Sequence, residues 1–404
     1  MTVVVELVEH ARAVSRPLPG VVGRALSASR IVEAVPDPYV ARHWLLKAGS
    51  KVGAVTVTVP GREPVTLRIT PKVPIARLFF LLGYSHDPRG WRDGQVSVAR
   101  HQELLPALAH AYERQVARAI RQGLLQGYRS AEDSALVVRG RIREAEQVRR
   151  RFGVALPVEI TYDEFTTDIP ENRLLRAATE RLLRLPGIPS AVRARLLRQR
   201  TRFADVTAFV RGQQVPEWRP SRLNTRYHQA LHLARAILDG ASTEHHPGGL
   251  QIDGFLFDMN KVFEDFVCVA LREALRPYGG RGTLQAKGVH LDEDARIRMQ
   301  PDFVWYGNGS EGRPLAVVDA KYKVEKTRGY PDADLYQMLA YCTALGLPAG
   351  HLVYAKGNAP HGGHRVRETG TVLHQHALDL ERSPDEILAE VGALARDMAS
   401  IACA

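Results

Sequence analysis

Three reactive side chains, Asp302, Asp319 and Lys321, stand in or at the ends of apolar runs in the last third of the chain. The first lies in Met299-Gln300-Pro301-Asp302-Phe303-Val304-Trp305, which reads as a strand ending at the turn residues Gly307-Asn308-Gly309. The other two close Leu315-Ala316-Val317-Val318-Asp319-Ala320-Lys321, a buried-strand pattern that becomes charged at its end. Side chains two apart on a strand share a face, so Asp319 and Lys321 project together. Two carboxylates and an ammonium so placed suit phosphodiester hydrolysis. Mg²⁺ takes one or two carboxylates, keeps waters and substrate oxygens as its other ligands, and neutralises the charge that develops at phosphorus. Asp302 and Asp319 would supply the carboxylates, and Lys321 would orient the attacking water or help to deprotonate it. The competing description is a strand-end Asp at a turn and a solvated Lys whose stem covers the sheet edge.

Such residues need helices and further strands to hold them. Upstream, Phe255 to Val267 runs into Leu271 and Leu275 with helical spacing; Asp258 is placed to cap it, and Glu264 falls among apolar neighbours. Downstream, Asp334 to Cys342 reads as a helix with Gln337 and Tyr341 one turn apart on one face. His351-Leu352-Val353-Tyr354-Ala355 follows as a strand. Strand, turn and strand with one acidic position each, here Pro301-Asp302 and Asp319-Ala320-Lys321, resemble the PD-(D/E)xK nuclease core. In that core the preceding helix directs a Glu at the site, a role the resemblance gives to Glu264. Gln337 and Tyr341 resemble the accessory motif of RecB-like nucleases, in which the Gln would bond a metal-bound water or a DNA phosphate and the Tyr would steady it. A half-exposed helix acid and an amphipathic helix covering the sheet are the plainer descriptions of these two helices.

The chain has 404 residues and 45% hydrophobic content, enough for two or three packed domains. It contains no run of eighteen apolar residues, and Glu6 and Glu9 interrupt any signal-peptide pattern, so no membrane association and a cytoplasmic location are expected. Cys268, Cys342 and Cys403 are widely spaced and read as ordinary buried thiols. His245-His246, His361 with His364, and His374 with His376 lack Cys or carboxylate partners at ligand spacing. No Gly-x-x-x-x-Gly-Lys-Ser/Thr loop is present, so the chain itself is not expected to hydrolyse nucleotide. A net charge of +11 fits a polyanionic partner. Its arginines concentrate in the middle, among them Arg139, Arg141, Arg143, Arg149 to Arg151, Arg193, Arg195, Arg198, Arg200 and Arg202, as a DNA-contacting surface or as solvated helix faces.

The patterns divide the chain into three zones. Residues 1–135 hold a β-hairpin, Ala54–Val59 and Val65–Ile69 around Pro60-Gly61-Arg62, and helices over Ile75–Leu82 and Gln102–Gln126. Residues 136–244 are mostly helical and Arg-rich, with strong helical signals over Asn172–Leu185 and Ala191–Gln199. Residues 245–404 carry the nuclease-like block and end in a helix announced by Ser383-Pro384-Asp385-Glu386, a capping box. The fold class is α/β (α+β): a C-terminal restriction-endonuclease-like core, an N-terminal β-containing region and a helical middle region.

Segments outside the block carry a more specific likeness: Ile69-Thr70-Pro71-Lys72; Val138-Arg139-Gly140-Arg141-Ile142; Tyr162 to Asp168 with Glu171-Asn172-Arg173; and Arg226-Tyr227-His228. In this order, with the acidic positions above, they resemble the McrC family, nuclease subunits of McrBC-type, 5-methylcytosine-specific restriction systems. The resemblance implies a Mg²⁺-dependent DNA endonuclease, with Mn²⁺ a possible substitute, that binds metal through Asp302, Asp319 and the Ala320 carbonyl. It implies a partner, a separate AAA+ GTPase resembling McrB, whose ring receives the amino-terminal part of the nuclease subunit. The hairpin around Gly61, with Arg62 or Arg68, is the expected inserted element. A stand-alone RecB-like repair nuclease and a non-catalytic DNA-binding adaptor that regulates a GTPase ring are the alternative readings.

Overall fold

A computed structural model of the chain describes residues 3–403 except 30, 62, 89–102, 153, 211–212, 247–249, 310–311, 323–331 and 356–361; for 241–253 and Cys403 it describes the backbone alone. Arg62, Gln102 and His361 therefore lie outside the described residues. The chain forms two compact units, Met1–Ala107 with Ser242–Ala404, and Leu108–Ala241. The zones drawn above follow the chain, whereas the units follow packing, and the amino-terminal strands share a unit with the carboxy-terminal block.

The first unit holds two larger sheets among its described residues. One has the strand order Val3–Val8, Val65–Thr70, Lys51–Thr58, Leu250–Asp258, Ala241–His246. The expected hairpin forms by antiparallel pairing of Lys51–Thr58 with Val65–Thr70. Its strands are interior, because Val65–Thr70 also pairs with Val3–Val8 and Lys51–Thr58 with Leu250–Asp258. Val55, Val57, Val65, Leu67 and Ile69 are all buried, as their alternation demands. Gly53, at φ +139°, crosses so close to the neighbouring strand that a Cβ would stand 2.0 Å from the Phe255 carbonyl oxygen. Only glycine fits there.

The other sheet runs Arg281–Leu284, Phe303–Tyr306, Pro314–Lys321, Ala349–Ala355, Val372–Leu378, Gly362–Arg365. Pro314–Lys321, Ala349–Ala355 and Val372–Leu378 are parallel neighbours, and Ala349–Ala355 is buried at every position. A strand covered on both faces reads as continuous hydrophobicity rather than alternation. The helix Asp332–Leu345 covers one face through Met338, Tyr341 and Cys342 against Val317, Leu352 and Tyr354. The helix Met259–Leu275 also packs on this sheet, capped as expected by Asp258, whose side chain accepts from the Asn260 N–H at 3.0 Å. The capping box of the helix Pro384–Cys403 forms too: the Ser383 N–H donates to Glu386 Oε2 at 2.8 Å. Cys268 and Cys342 are buried free thiols.

The second unit packs the helices Pro170–Arg184, Ser190–Arg202 and His228–Asp239, and Tyr112, fully buried, donates to the Leu175 carbonyl at 2.6 Å. It is less helical than expected. Gly127–Ala135, Val158–Thr166 and Arg141–Ile142 form an antiparallel three-stranded sheet with Val158–Thr166 in the centre. Tyr128, Phe165 and Ile142 are exposed on these strands, which erases the alternation that would have marked them as half-buried.

Candidate active site

Asp302 sits one residue before its strand rather than within it. The Met299–Trp305 run is broken because Met299 pairs in a separate two-residue strand, while the Pro301 and Asp302 carbonyls accept from the Ala286 and Gln285 N–H groups at 3.1 and 2.8 Å. This leaves Asp302 at the strand mouth, 8% exposed, where Oδ2 accepts the Ala320 N–H at 2.9 Å. Asp319 and Lys321 share a face as the strand period requires, with Lys321 Nζ 2.5 Å from Asp319 Oδ2. Asp319 is 2% exposed, and the Lys321 ammonium is the positive group that meets its Oδ2.

Electrostatics follow from this crowding. Burial, then the charge of Glu264, raises Asp302 above the usual carboxylate range; burial, then the charge of Asp302, does the same to Asp319. Glu264 is raised by burial and by Asp265. Burial opposes the charge of Lys321, but Asp319, Asp302 and Asp334 together outweigh it and raise its pKa. Among the described residues the site is thus a pocket of excess negative charge with one ammonium, that of Lys321. Among the described residues no three His, Cys, Asp or Glu side chains assemble into a metal cage. The donor set nevertheless fits Mg²⁺, which takes one or two carboxylates and fills its octahedron with water and substrate oxygens. The specific observation in favour is the crowding of like charge: Asp302 and Asp319 are buried against one another with Glu264 beside them, an arrangement a divalent cation would relieve.

Glu264 meets Asp302 directly by a side-chain hydrogen bond and is also tied to it by a residue the sequence did not single out. Gln285 Nε2 donates both to Glu264 Oε1 and, at 3.1 Å, to Asp302 Oδ1. Gln300 Nε2 donates in turn to Gln285 Oε1 at 2.8 Å. Gln337 and Tyr341 bond one another at 2.8 Å, and Tyr341 donates to the Gln300 carbonyl at 3.3 Å. Their hydrogen bonds therefore end at Gln300 and not at the carboxylates. Tyr341 still feels the site: burial, then the Asp319 charge, pushes its hydroxyl up to about 12. Nothing local in Thr283-Leu284-Gln285 marks this glutamine, since its position depends on how two loops cross.

The other segments that carried the family likeness serve the framework. Lys72 donates its N–H, and Tyr322 its hydroxyl, to the fully buried Glu9, each at 3.2 Å. In the second unit Asp168 accepts from Arg129, from Arg173 Nε and Nη2 at 2.7 and 2.6 Å, and from Thr207 N and Oγ1 at 2.7 and 2.6 Å. Arg226 binds the Gly123 carbonyl and Gln122, and buried Tyr227 accepts the Leu125 N–H. Much of the middle arginine cluster is likewise occupied: Arg143 with Glu132, Arg151 with Glu159, Arg195 with Glu113, Arg193 with the Leu183 and Leu185 carbonyls. Arg68 pairs with Glu103 at 2.6 Å.

The family model described as McrBC 5-methylcytosine restriction system component matches residues 46–355, more than half of the chain. The chain belongs to that family. Among solved structures, this family member is similar over 98% of its length to 99% of a chain in the refined half-complex from the tetradecameric assembly of Thermococcus gammatolerans McrB AAA+ hexamers with bound McrC. The TM-score is 0.56 at 16% identity. It also matches a chain of the cryo-EM structure of the Thermococcus gammatolerans McrBC complex, with TM-score 0.40, 18% identity, and coverage of 67% and 88%. No curated protein matches it. The likeness to McrC read from the ordered segments is borne out, as is the mixed α/β fold. No described helix of this family member is long and apolar enough to cross a membrane.

Proposed function

We propose that this chain is the nuclease subunit of its McrBC-type system, a PD-(D/E)xK enzyme that hydrolyses DNA phosphodiesters. The observation that carries the reading is the pair of buried carboxylates at adjacent strand mouths, with Lys321 paired to one of them. Asp302, Asp319 and the Ala320 carbonyl would hold Mg²⁺, or Mn²⁺ in its place. The bound ion supplies charge neutralisation at the scissile phosphate and acidifies water. Lys321 holds a donor toward the nucleophile while its pairing with Asp319 keeps it charged and fixed. Glu264 adds a third carboxylate at the edge of the site. Gln337 and Tyr341 brace the Gln300 backbone from the covering helix.

The partner is a separate AAA+ GTPase resembling McrB, which delivers DNA and is stimulated by contact with this chain; the chain of a McrB–McrC assembly that shares this fold supports that reading. Insertion by the Gly61 hairpin would have to use its tip, where Thr58, Pro60, Gly61 and Glu63 are exposed among the described residues, because its strands are interior to the sheet. The sheet of the second unit is better suited. Its strands, the adjoining Glu144–Arg151 helix and the residues that flank them expose Tyr128, Val137, Val148, Phe152 and Phe165, with Phe152 at 90%. Apolar surface of this kind marks a binding face. Co-purification with the GTPase, followed by GTP- and Mg²⁺-dependent cleavage of methylated and unmethylated DNA, tests the function. Cleavage that persists in Asp319→Ala would overturn it.

A further inference from the structure

We infer that Gln285 is the positioning residue of the carboxylate site, its side-chain amide holding Glu264 and Asp302 in one cluster ready for a divalent cation. The inference rests on the nuclease reading above and goes beyond it, since neither the motif nor the family likeness includes this residue.

Three observations converge on Gln285. Its Nε2 donates to a carboxylate oxygen of each acid, to Glu264 Oε1 and to Asp302 Oδ1 at 3.1 Å. A neutral amide thus provides two N–H groups where two like charges face each other, and so lowers the cost of keeping both in place. The amide itself is oriented, because Gln300 Nε2 donates to Oε1 at 2.8 Å, which leaves the two Nε2 hydrogens for the acids. Through the Gln300 carbonyl this chain continues to Tyr341 and Gln337. Finally, the Gln285 backbone has φ +47°, in the left-handed region where glycine is most at ease. A glutamine kept at a position whose conformation favours glycine points to a use for its side chain. The main-chain bond from the Gln285 N–H to the Asp302 carbonyl at 2.8 Å anchors that backbone beside the acid it serves.

Because the conformation suits glycine, Gln285→Gly separates positioning from folding. The full chain is titrated with Mn²⁺ and free Mn²⁺ is followed by electron paramagnetic resonance, alongside thermal unfolding without metal. The expected result is a wild-type chain that binds Mn²⁺, and a Gln285→Gly chain that melts no lower than wild type yet binds about 10-fold more weakly or worse, the usual scale for residues that orient metal ligands. Gln285→Ala should weaken binding as much while also losing stability. In a Glu264→Ala background, Gln285→Gly should lose part of its effect, because one of the two acids it holds is gone. Equal or tighter Mn²⁺ binding by Gln285→Gly, or full additivity with Glu264→Ala, overturns the inference while leaving the nuclease reading intact. A wild-type chain that binds no Mn²⁺ removes the nuclease reading itself.

Discussion

Asp168 and Asp319 are both aspartates buried in polar clusters, one in each compact unit, and their surroundings drive them in opposite directions. Asp168 accepts from two arginines and from the backbone and hydroxyl of Thr207. Chiefly through Arg173, then Thr207, its pKa is driven far below the usual carboxylate range. Asp319 has, among the described residues, one ammonium beside it, that of Lys321, and a second carboxylate nearby, and burial drives its pKa up. Donors that saturate a carboxylate make it a fastener; burial beside other acids with a single ammonium to meet them leaves room for a further cation. Both acids belong to segments that carry the family likeness, so likeness alone does not separate the two roles.

The largest test of this contrast is chemical. Asp319→Ala or Lys321→Ala should abolish cleavage by the reconstituted complex, by at least about 10³-fold, since a metal site contributes several kcal/mol to the transition state. Assembly with the GTPase, read by size-exclusion chromatography, should survive. Asp168→Ala should do the reverse, costing about 2–3 kcal/mol of stability by removing the carboxylate that Arg129, Arg173 and Thr207 share, measured by denaturant unfolding. If Asp168→Ala folds normally and only loses cleavage, the division of roles is wrong.

Acid separates the two aspartates next. The lowered pKa of Asp168 gives stability that is present above the unfolded value and lost as pH falls through the folded one. The raised pKa values of Asp302 and Asp319 work oppositely: their ionised pair costs stability as pH rises through the folded values, and a bound cation relieves that cost. Stabilisation by Mg²⁺, followed as a melting shift, should be greatest near pH 8 and fade at a higher pH than ordinary carboxylates would dictate. A shift that is equal at pH 5 and pH 8 would contradict the assignment.

A smaller effect belongs to Glu9, which burial raises to about 7 against the donors Lys72 and Tyr322. Its protonated form is the one the fold prefers, so the associated stability is present below about 4.5 and lost as pH rises through about 7. Glu9→Gln should therefore stabilise the chain at pH 8, by on the order of 1 kcal/mol, and change little at pH 4.5. Denaturant midpoints at the two pH values check this.

The sequence carried the centre of the site because strand period alone places Asp319 and Lys321 on one face, and because apolar runs locate the strands. It carried the caps at Asp258 and Ser383 for the same reason: their partners lie within three residues. Gln285 and Gln300 were not legible, since their bonds depend on irregular loops and on a left-handed backbone that no pattern announces. Asp334 was read only as part of a helix, although it is buried and adds to the charge around Lys321. The three-stranded sheet of the second unit was missed because exposed apolar residues occupy its outward positions, where the polar half of the alternation is expected.

The account turns on whether Asp319 is a carboxylate waiting for a cation. The most direct measurement is the melting temperature of wild type and Asp319→Asn, each with and without Mg²⁺ at pH 8. The account predicts that the wild-type transition rises with Mg²⁺, while Asp319→Asn, relieved of a buried charge, melts at or above metal-free wild type and does not respond. A variant that is stabilised by Mg²⁺ as much as wild type would contradict it.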